Sequence, residues 1–256
     1  MLTETDLNRS RRRLVDMHYR ARAGHIGGNL SCIDAMMLVH HEMMSAGDRF
    51  ILSKGHSAGA LYVTLWSLGR LTDQDLDTFH QDDTLLAGHP PARGIPDVLF
   101  ATGSLGHGLS LAAGLAMAAR LQGTGRRVFC LTSDGEWQEG STIEALTFAI
   151  HNRLNNLTIL VDHNGLQGFG TTHDVASMDP LDQRLTGFDL DTRICDGHDL
   201  DAMRSAFAYG NKGPQMVLLK TIKGRGLPDL AGHLESHYLP LTSAQHAGAL
   251  AEFGKS

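Results

Sequence analysis

Short apolar segments alternate with helix-like segments in the second half of the sequence, and this alternation restricts the possible folds more than any other feature. Four apolar segments are predicted to be strands, at residues 128–132, 157–162, 192–196 and 216–221. Predicted helices at 140–153 and 199–209 lie between them. Continuous apolar strands separated by helices are typical of a parallel sheet with helices on both faces. We therefore predict an α/β fold that binds ligands at the carboxyl ends of its strands.

The first half of the sequence is predicted to contribute one more strand and several helices. The strand lies at 49–53, and the helices are predicted at 4–22, 57–69, 109–121 and, later in the chain, 243–253. Another helix is predicted to begin at Ser31, because Asp34 follows three residues later in an approximate capping box. Residues 80–107 are rich in His, Pro and Gly and are predicted to form a long loop, a kind of segment that is usually functional.

Composition and charge exclude several classes of function. The 256 residues suffice for one substantial α/β domain or two small ones, and the net charge of −6 gives no general attraction to nucleic acid or to anionic membranes. The sequence has no apolar run of about 18 residues and no signal peptide. Its three cysteines are scattered, which favours a reducing compartment. We therefore expect a cytoplasmic protein with no nucleic-acid or membrane partner.

Polar turns follow two neighbouring predicted strands. The strand at 128–132 runs into Asp134 and Gly135, and the strand at 157–162 runs into Asn164. Asp-Gly or Asn-Gly alone is usually an ordinary turn, but both at successive strand ends, thirty residues apart, are a rarer combination. Carboxylate, amide and backbone carbonyl oxygens suit Mg²⁺ or Ca²⁺, and a helix N-terminus that follows a glycine suits an anion. The sequence therefore predicts a site for a metal and an anion at this edge of the sheet.

The segment that joins these turns, SDGEWQEGSTIEALTFAIHNRLNNLTILVDHNGLQ, resembles the thiamine diphosphate-binding motif. The chain is similar to the N-terminal domain of transketolases over almost its whole length. The supporting segments, in order, are AGHIGGNLS, DRFILSKGHSAGALY, AGHP, ATGSLGHGLSLAAGLAMA and KGRGLPDLAGHLESH. The resemblance implies a thiamine diphosphate-binding α/β fold of the diphosphate-binding type, with residues 1–256 forming one domain.

The resemblance also implies a metal site and contacts to the cofactor. The metal ligands would be Asp134, Asn164 and the carbonyl of Leu166. The cofactor would contact Asn164 and several further residues, namely Gly135 against the diphosphate, Gly103 and Leu105 beside the thiazolium ring, and His56 and His237 near the diphosphate. The sequence departs from the family at two positions: Ser133 replaces the first glycine of the motif, and Gly168 stands where transketolases often carry an aliphatic residue against the thiazolium ring.

Histidines and one glutamate are the catalytic candidates that the resemblance implies. His25 would contact the donor near its reacting carbon, His89 would lie near substrate hydroxyls, and His237 would take part in proton movement. Glu139 would lie at a subunit interface near the cofactor, although a glutamate at a helix start can also serve only the helix dipole. Histidine side chains suit proton transfer here, because ketose cleavage needs proton transfers near neutral pH and imidazole titrates in that range. A lone histidine is more often structural, but these lie in Gly- and Pro-rich loops that match the family.

A carboxylate that acts on the thiamine pyrimidine ring is missing from the pattern. In transketolases this glutamate comes from the pyrimidine-binding domain of a neighbouring subunit, and nothing in residues 1–256 resembles that domain or the C-terminal domain. We therefore expect a partner chain, a C-terminal transketolase subunit, that carries both domains and the glutamate in an α₂β₂ assembly. The alternative is that the sequence is a piece of a longer protein.

The favoured function is that of the N-terminal subunit of a two-component transketolase, which transfers a two-carbon ketol unit from a ketose to an aldehyde. Its main alternative is a thiamine diphosphate-dependent α-keto acid decarboxylase or ligase subunit. A protein that has kept the fold without catalysis is less favoured, because the metal and histidine positions are intact. Nicotinamide binding is rejected, since the glycines at 103, 106 and 108 form no GxGxxG fingerprint. The sugars stay open, because the phosphate-binding arginines of transketolases lie mainly in the missing domains.

Overall fold

The computed structural model describes residues 1–185, 187–208, 210 and 212–254. The described strands are β1 (Arg49–Leu52), β2 (Val128–Ser133), β3 (Leu157–His163), β4 (Leu166–Gln167), β5 (Gly170–Thr171), β6 (Asp191–Asp196) and β7 (Gln215–Lys220). Five of them form one sheet in the order β1-β2-β3-β7-β6, with every neighbouring pair parallel. The remaining two, β4 and β5, form a short antiparallel hairpin. The predicted parallel sheet is confirmed.

Helices precede, separate and follow these strands. The described α-helices are α1 (Glu4–Ala21), α2 (Ile26–Leu38), α3 (Ala58–Ser67), α4 (Asp73–Asp77), α5 (Gly108–Leu121), α6 (Gly140–His151), α7 (Thr172–Ala176), α8 (Leu181–Leu185), α9 (Leu200–Ala206), α10 (Glu235–Tyr238) and α11 (Ser243–Glu252). A π-helical turn (Val39–Met43) and two 3₁₀ turns (Gly55–Ser57 and Gly135–Gln138) are also described. Capping boxes fix the starts of α1, at Thr3, and of α11, at Thr242, because a side chain at each cap accepts a backbone N–H that the helix leaves unpaired. None of the described helices combines the length and apolar character that a membrane span requires.

Helices cover both faces of the sheet, as the sequence predicts. Successive strand side chains point to opposite faces, so Phe129 and Leu131 pack in one core while Val128 and Cys130 pack in the other. The first core contains the buried faces of α1, α2 and α3, and the second contains those of α5 and α6. Strands that are buried on both faces read as continuous apolar runs, which is why the alternation in the sequence identified them.

The prediction that α2 begins at Ser31 is wrong. The helix begins at Ile26, after His25 in a left-handed conformation (φ 64°), and Ser31 lies within it. The Ser31 hydroxyl lies 3.0 Å from the Gly28 carbonyl oxygen and 2.5 Å from Asp162 Oδ2. It therefore bonds to the preceding turn of the helix and to β3, and it does not cap the helix. Glycine is a poor helix former, but Gly27 lies in the first turn because a side chain there would overlap Ser236.

The carboxyl ends of the strands gather the loops that carry the candidate residues. Ser133, the last residue of β2, pairs with Asp162 of β3, and His163 pairs with Lys220 at the end of β7, so three strands end at one edge. The loop at 80–107 reaches the same edge, and its described residues contain neither helix nor strand, as predicted. The fold thus brings together chain segments that are far apart in sequence.

Candidate functional site

A cleft of about 730 Å³ lies at the carboxyl edge of the sheet. Most of the residues that the sequence singled out line it, namely His25, His56, His89, Gly103, Leu105, Asp134, Gly135, Leu166 and His237. Two others, Asn164 and Glu139, are not among its lining residues. The cleft also contains residues that the sequence did not identify as functional, including Gln167, Phe169, Lys223 and Tyr238.

The Asp134 carboxylate joins the loops that follow β2 and β3. Its Oδ2 accepts hydrogen bonds from the backbone N–H groups of Asn164, at 3.0 Å, and Gly165, at 2.6 Å, and its Oδ1 accepts one from Gly135, at 2.9 Å. Burial raises the pKa of Asp134, and the neighbouring negative charge of Asp162 raises it further. The two strand ends therefore converge as the sequence predicts, around a buried carboxylate.

Asn164 and Leu166 complete an oxygen-rich turn beside Asp134. Asn164 Oδ1 accepts the Leu166 N–H at 3.1 Å, and the Asn164 amide nitrogen donates to Asp162 Oδ2 at 3.2 Å. Within the described residues no three His, Cys, Asp or Glu side chains cluster as a metal site. The candidate set differs in kind, since it combines one carboxylate with an amide oxygen and the Leu166 carbonyl. Such a set suits a hard divalent cation, which would also offset the buried charge of Asp134.

The cleft holds the four predicted histidines close together. Ring centroids are 5.9 Å apart for His25 and His56, 6.2 Å for His25 and His89, and 4.9 Å for His25 and His237. His25 is central to the group, and its backbone N–H donates to the carbonyl oxygen of His237 at 2.8 Å. This bond holds two segments together that lie more than two hundred residues apart in the sequence.

Burial favours the neutral form of these four imidazoles. Burial lowers the pKa of His25 and His89, and it holds the pKa of His56 well below its usual value. Burial and then the charge of Lys223 lower the pKa of His237 to about 3. The four rings are therefore neutral near pH 7. A neutral imidazole can both donate and accept a hydrogen bond, so the group suits hydroxyl-rich ligands.

Lys223 is a site residue that sequence reasoning missed. It is 2% exposed, and its Nζ lies 3.2 Å from the Leu166 carbonyl oxygen and 2.9 Å from His237 Nδ1. Burial, followed by the charge of Lys54, lowers the pKa of Lys223 to about 8. A signal was available, because Lys223 follows β7 closely and the carboxyl ends of parallel strands share one edge. The ammonium places positive charge where an anionic ligand could use it.

Glu136 is a second residue that sequence reasoning missed. Its buried carboxylate accepts hydrogen bonds from several segments that surround the cleft. It is fully buried, and its Oε1 accepts the Gly106 N–H at 3.0 Å and the hydroxyl of Ser53. Its Oε2 accepts the Ser133 N–H at 2.9 Å. One carboxylate thus ties the end of β1, the end of β2 and the loop at 103–107. Its neighbour Glu139 is instead exposed at the start of α6.

Gly103 and Leu105 lie in the loop that Glu136 holds. Gly103 has φ 137°, a conformation that favours glycine, and a Cβ there would lie 2.5 Å from His89 Cδ2. The glycine therefore lets the His89 ring pack against the backbone of the cleft wall. Leu105 contributes to the same wall.

Comparison with known proteins is consistent with this geometry. Residues 3–256 match the family described as transketolase, thiamine diphosphate binding domain. The chain is similar to the transketolase from Leishmania mexicana, with a TM-score of 0.91 and 28% sequence identity over 100% of this chain. The matched part spans 42% of that structure's chain.

Two curated relatives are close to this chain in length as well as in sequence. One, a subunit of the apulose-4-phosphate transketolase of Phocaeicola vulgatus, is 35% identical over 97% of this chain and 92% of its own length. The other, the 6-deoxy-6-sulfo-D-fructose transketolase subunit SqwG of Clostridium sp., is 34% identical over 91% of this chain and 89% of its own length. The chain therefore belongs to the transketolase family, and the part that matches is the thiamine diphosphate binding domain.

Proposed function

We propose that this chain is the diphosphate-binding subunit of a two-component transketolase, which transfers a two-carbon ketol unit from a ketose to an aldehyde. The observation that carries the proposal is the joining of the two strand-end loops by Asp134 in the same cleft as four neutral histidines. The relatives support the division into two components, because the matched region makes up 92% of the Phocaeicola protein, which is named a transketolase subunit, but 42% of the Leishmania transketolase chain.

The proposed cofactors are thiamine diphosphate and Mg²⁺ (or Ca²⁺). The oxygen atoms of Asp134 and Asn164 and the carbonyl of Leu166 would hold the metal, which suits their donor chemistry. Residues proposed to contact the cofactor are Gly135, Asn164, His56 and His237 toward the diphosphate, and Gly103 and Leu105 toward the thiazolium ring. Lys223 adds a positive charge beside Leu166, where it would favour the diphosphate.

The residues of this chain would orient the sugar and move its protons. Thiamine diphosphate, when bound, supplies the nucleophilic carbon that carries the two-carbon unit. His25 and His89 would exchange protons with ketose hydroxyls, and burial keeps both rings neutral for this role. Because Lys223 donates to His237 Nδ1, the neutral His237 ring carries its proton on Nε2 and can donate it toward the cleft. Glu139, exposed beside the site, would face the partner chain.

The proposed partner is a C-terminal transketolase subunit that supplies the pyrimidine-binding domain and its catalytic glutamate. Residues 1–256 would act as one diphosphate-binding domain in an α₂β₂ assembly. The names of the two relatives, which both describe transketolase subunits, support a divided enzyme. The scattered cysteines support a cytoplasmic location.

The test combines cofactor binding with turnover. Calorimetry with thiamine diphosphate and Mg²⁺ should show binding by the chain, with loss on chelation of the metal. Asp134→Ala should abolish metal-dependent binding, whereas Asp82→Ala, at an exposed carboxylate, should leave it intact. Unchanged binding by Asp134→Ala would defeat the metal assignment.

Turnover is measured with and without the product of the neighbouring reading frame. A ketose donor with an aldehyde acceptor should react only when both chains are present. Turnover by the chain alone would refute the dependence on a partner. Decarboxylation of pyruvate in place of ketol transfer would establish the decarboxylase alternative.

A further inference from the structure

Gly168 and Tyr238 form a matched pair on the wall of the cleft. Gly168 lies between β4 and β5, and its φ is outside the range that favours glycine, so backbone conformation does not require a glycine there. A Cβ at this position would instead overlap Tyr238 Oη and lie 3.4 Å from Tyr238 Cζ. A side chain at this position and the tyrosine hydroxyl would therefore compete for the same space.

The backbone around Tyr238 is held by contacts with Gly24 and His25. A Cβ on Gly24 would lie 2.5 Å from the Tyr238 carbonyl oxygen, so the two backbones are in close contact. The bond from the His25 N–H to the His237 carbonyl fastens the same segment. The Tyr238 ring lies edge-on to His237, with centroids 4.5 Å apart, and 6.2 Å from the His25 ring. The backbone of Tyr238 is therefore held in place, and its ring packs beside two of the candidate catalytic histidines.

The hydroxyl of Tyr238 faces the cleft with its hydrogen-bonding capacity unused by the described residues. The side chain is 52% exposed and lines the cleft with Gly168 and His237. His237 Nε2 approaches the same point, since it would lie 3.4 Å from a Cβ on Gly168. Two polar atoms thus converge on one region of the wall. A phenol can donate and accept, as a sugar hydroxyl requires.

We propose that Tyr238 determines substrate specificity by hydrogen bonding a polar substituent of the sugar, and that Gly168 makes room for it. This inference rests on the proposed function. The relevant ligand class is a hydroxylated ketose or aldose, which carries a donor or acceptor on nearly every carbon.

A double-mutant cycle tests the pairing without reference to activity. Gly168→Ala should lower the melting temperature of the chain by about 1–3 °C, because its Cβ displaces the hydroxyl of a half-exposed tyrosine. In the Tyr238→Phe background the same change should be nearly neutral, since the overlapping oxygen is gone. Gly114→Ala is the control, because a Cβ there meets nothing within 4 Å and alanine in the middle of α5 should raise the melting temperature equally in both backgrounds. Equal effects of Gly168→Ala in both backgrounds would overturn the pairing.

Kinetics with the partner chain test the substrate role. Tyr238→Phe should raise KM for the sugar about three- to tenfold while the affinity for thiamine diphosphate stays the same. Tyr19→Phe, at a hydroxyl bonded to Ser243, should leave KM unchanged. An unchanged KM in Tyr238→Phe would overturn the specificity role. Failure of the parent chain to bind thiamine diphosphate would defeat the proposed function and the substrate role together. The double-mutant cycle would still test the contact between Gly168 and Tyr238, because it measures only melting temperatures.

Discussion

Asp34 Oδ2 lies 2.9 Å from His198 Nδ1, and the other nitrogen of this ring accepts the Ile222 N–H at 3.0 Å. Asp34 is fully buried on α2 and also pairs with Arg11. Burial would raise the pKa of Asp34, but the bond from His198 and the charge of Arg11 hold it below its usual value. The two contacts of His198 place its proton on Nδ1. Through this ring, α2 anchors the loop that carries Lys223.

Replacing His198 with Phe should loosen that loop. The Ile222 N–H would lose its acceptor and Asp34 would lose a donor, so we expect a loss of stability of about 2–3 kcal/mol. Affinity for thiamine diphosphate should also fall, because Lys223 lies next to the released residue. Urea unfolding and calorimetry measure the two effects. His151→Phe, at an exposed position on α6, is the control, and an equal effect of both changes would show that the anchor is unimportant.

Glu136→Gln tests the buried link beneath the cleft. Glutamine places an amide donor where Glu136 now accepts backbone N–H groups from Gly106 and Ser133. A donor facing a buried donor leaves both unsatisfied, so we expect about 2–4 kcal/mol of destabilisation. Urea unfolding measures this loss. Glu144→Gln on the exposed side of α6 should change stability by less than about 0.5 kcal/mol.

The buried ion pair of Lys54 and Asp162 should be sensitive to removal of one partner. Both side chains are almost fully buried, and Asp162 also accepts from Ser31 and Thr221. Lys54→Met leaves a buried carboxylate without its counter-charge, and we expect a loss of about 3–5 kcal/mol. Changing both residues, to Met and Leu, should recover part of it.

The exposed pair of Arg70 and Asp97 provides the comparison. Arg70→Met should cost less than about 1 kcal/mol, because surface ion pairs are screened by water and salt. Chemical denaturation of the Lys54 and Arg70 variants compares the loss of stability at the buried pair with that at the exposed pair. Similar losses at the buried and exposed pairs would contradict the argument from burial.

His18 should make stability depend on pH. Burial lowers its pKa from 6.5 to about 4, although its Nδ1 donates to the Leu14 carbonyl at 3.1 Å. The unfolded chain binds a proton at His18 below pH 6.5 and the folded chain does so only near pH 4, so its contribution is complete above pH 6.5 and falls as the pH drops toward 4. The shift in the pKa of His18 corresponds to about 3 kcal/mol in the free energy of unfolding.

Thermal or urea unfolding between pH 4 and pH 7.5 measures this dependence. His18→Asn keeps a donor close to the position of Nδ1 but removes the titration, so it should make stability depend less steeply on pH in the interval between the two pKa values, where other buried histidines still contribute. A profile identical to that of the parent chain would exclude His18 as its source.

The sequence alone determined the five strands of the main sheet and most of the helices, but not the short β4–β5 hairpin, because apolar periodicity and caps are local signals. It also placed Asp134 and Asn164 at adjacent strand ends, since parallel strands that follow one another through a helix usually pair. The histidines were identified because the short segments that carry them resemble transketolase segments. Each of these inferences needs only residues that are near one another in the chain.

The tertiary structure decided what depends on close approach between distant segments. Three features depend on residues that are tens of positions apart in the sequence. They are the start of α2 at Ile26, the contact of Lys223 with Leu166, and the close approach of Tyr238 to Gly168. No local pattern encodes such contacts, because they arise only when packing fixes the distances between separate backbones. A glycine in the sequence shows that a side chain is absent, and only the folded chain shows which neighbouring group occupies that space.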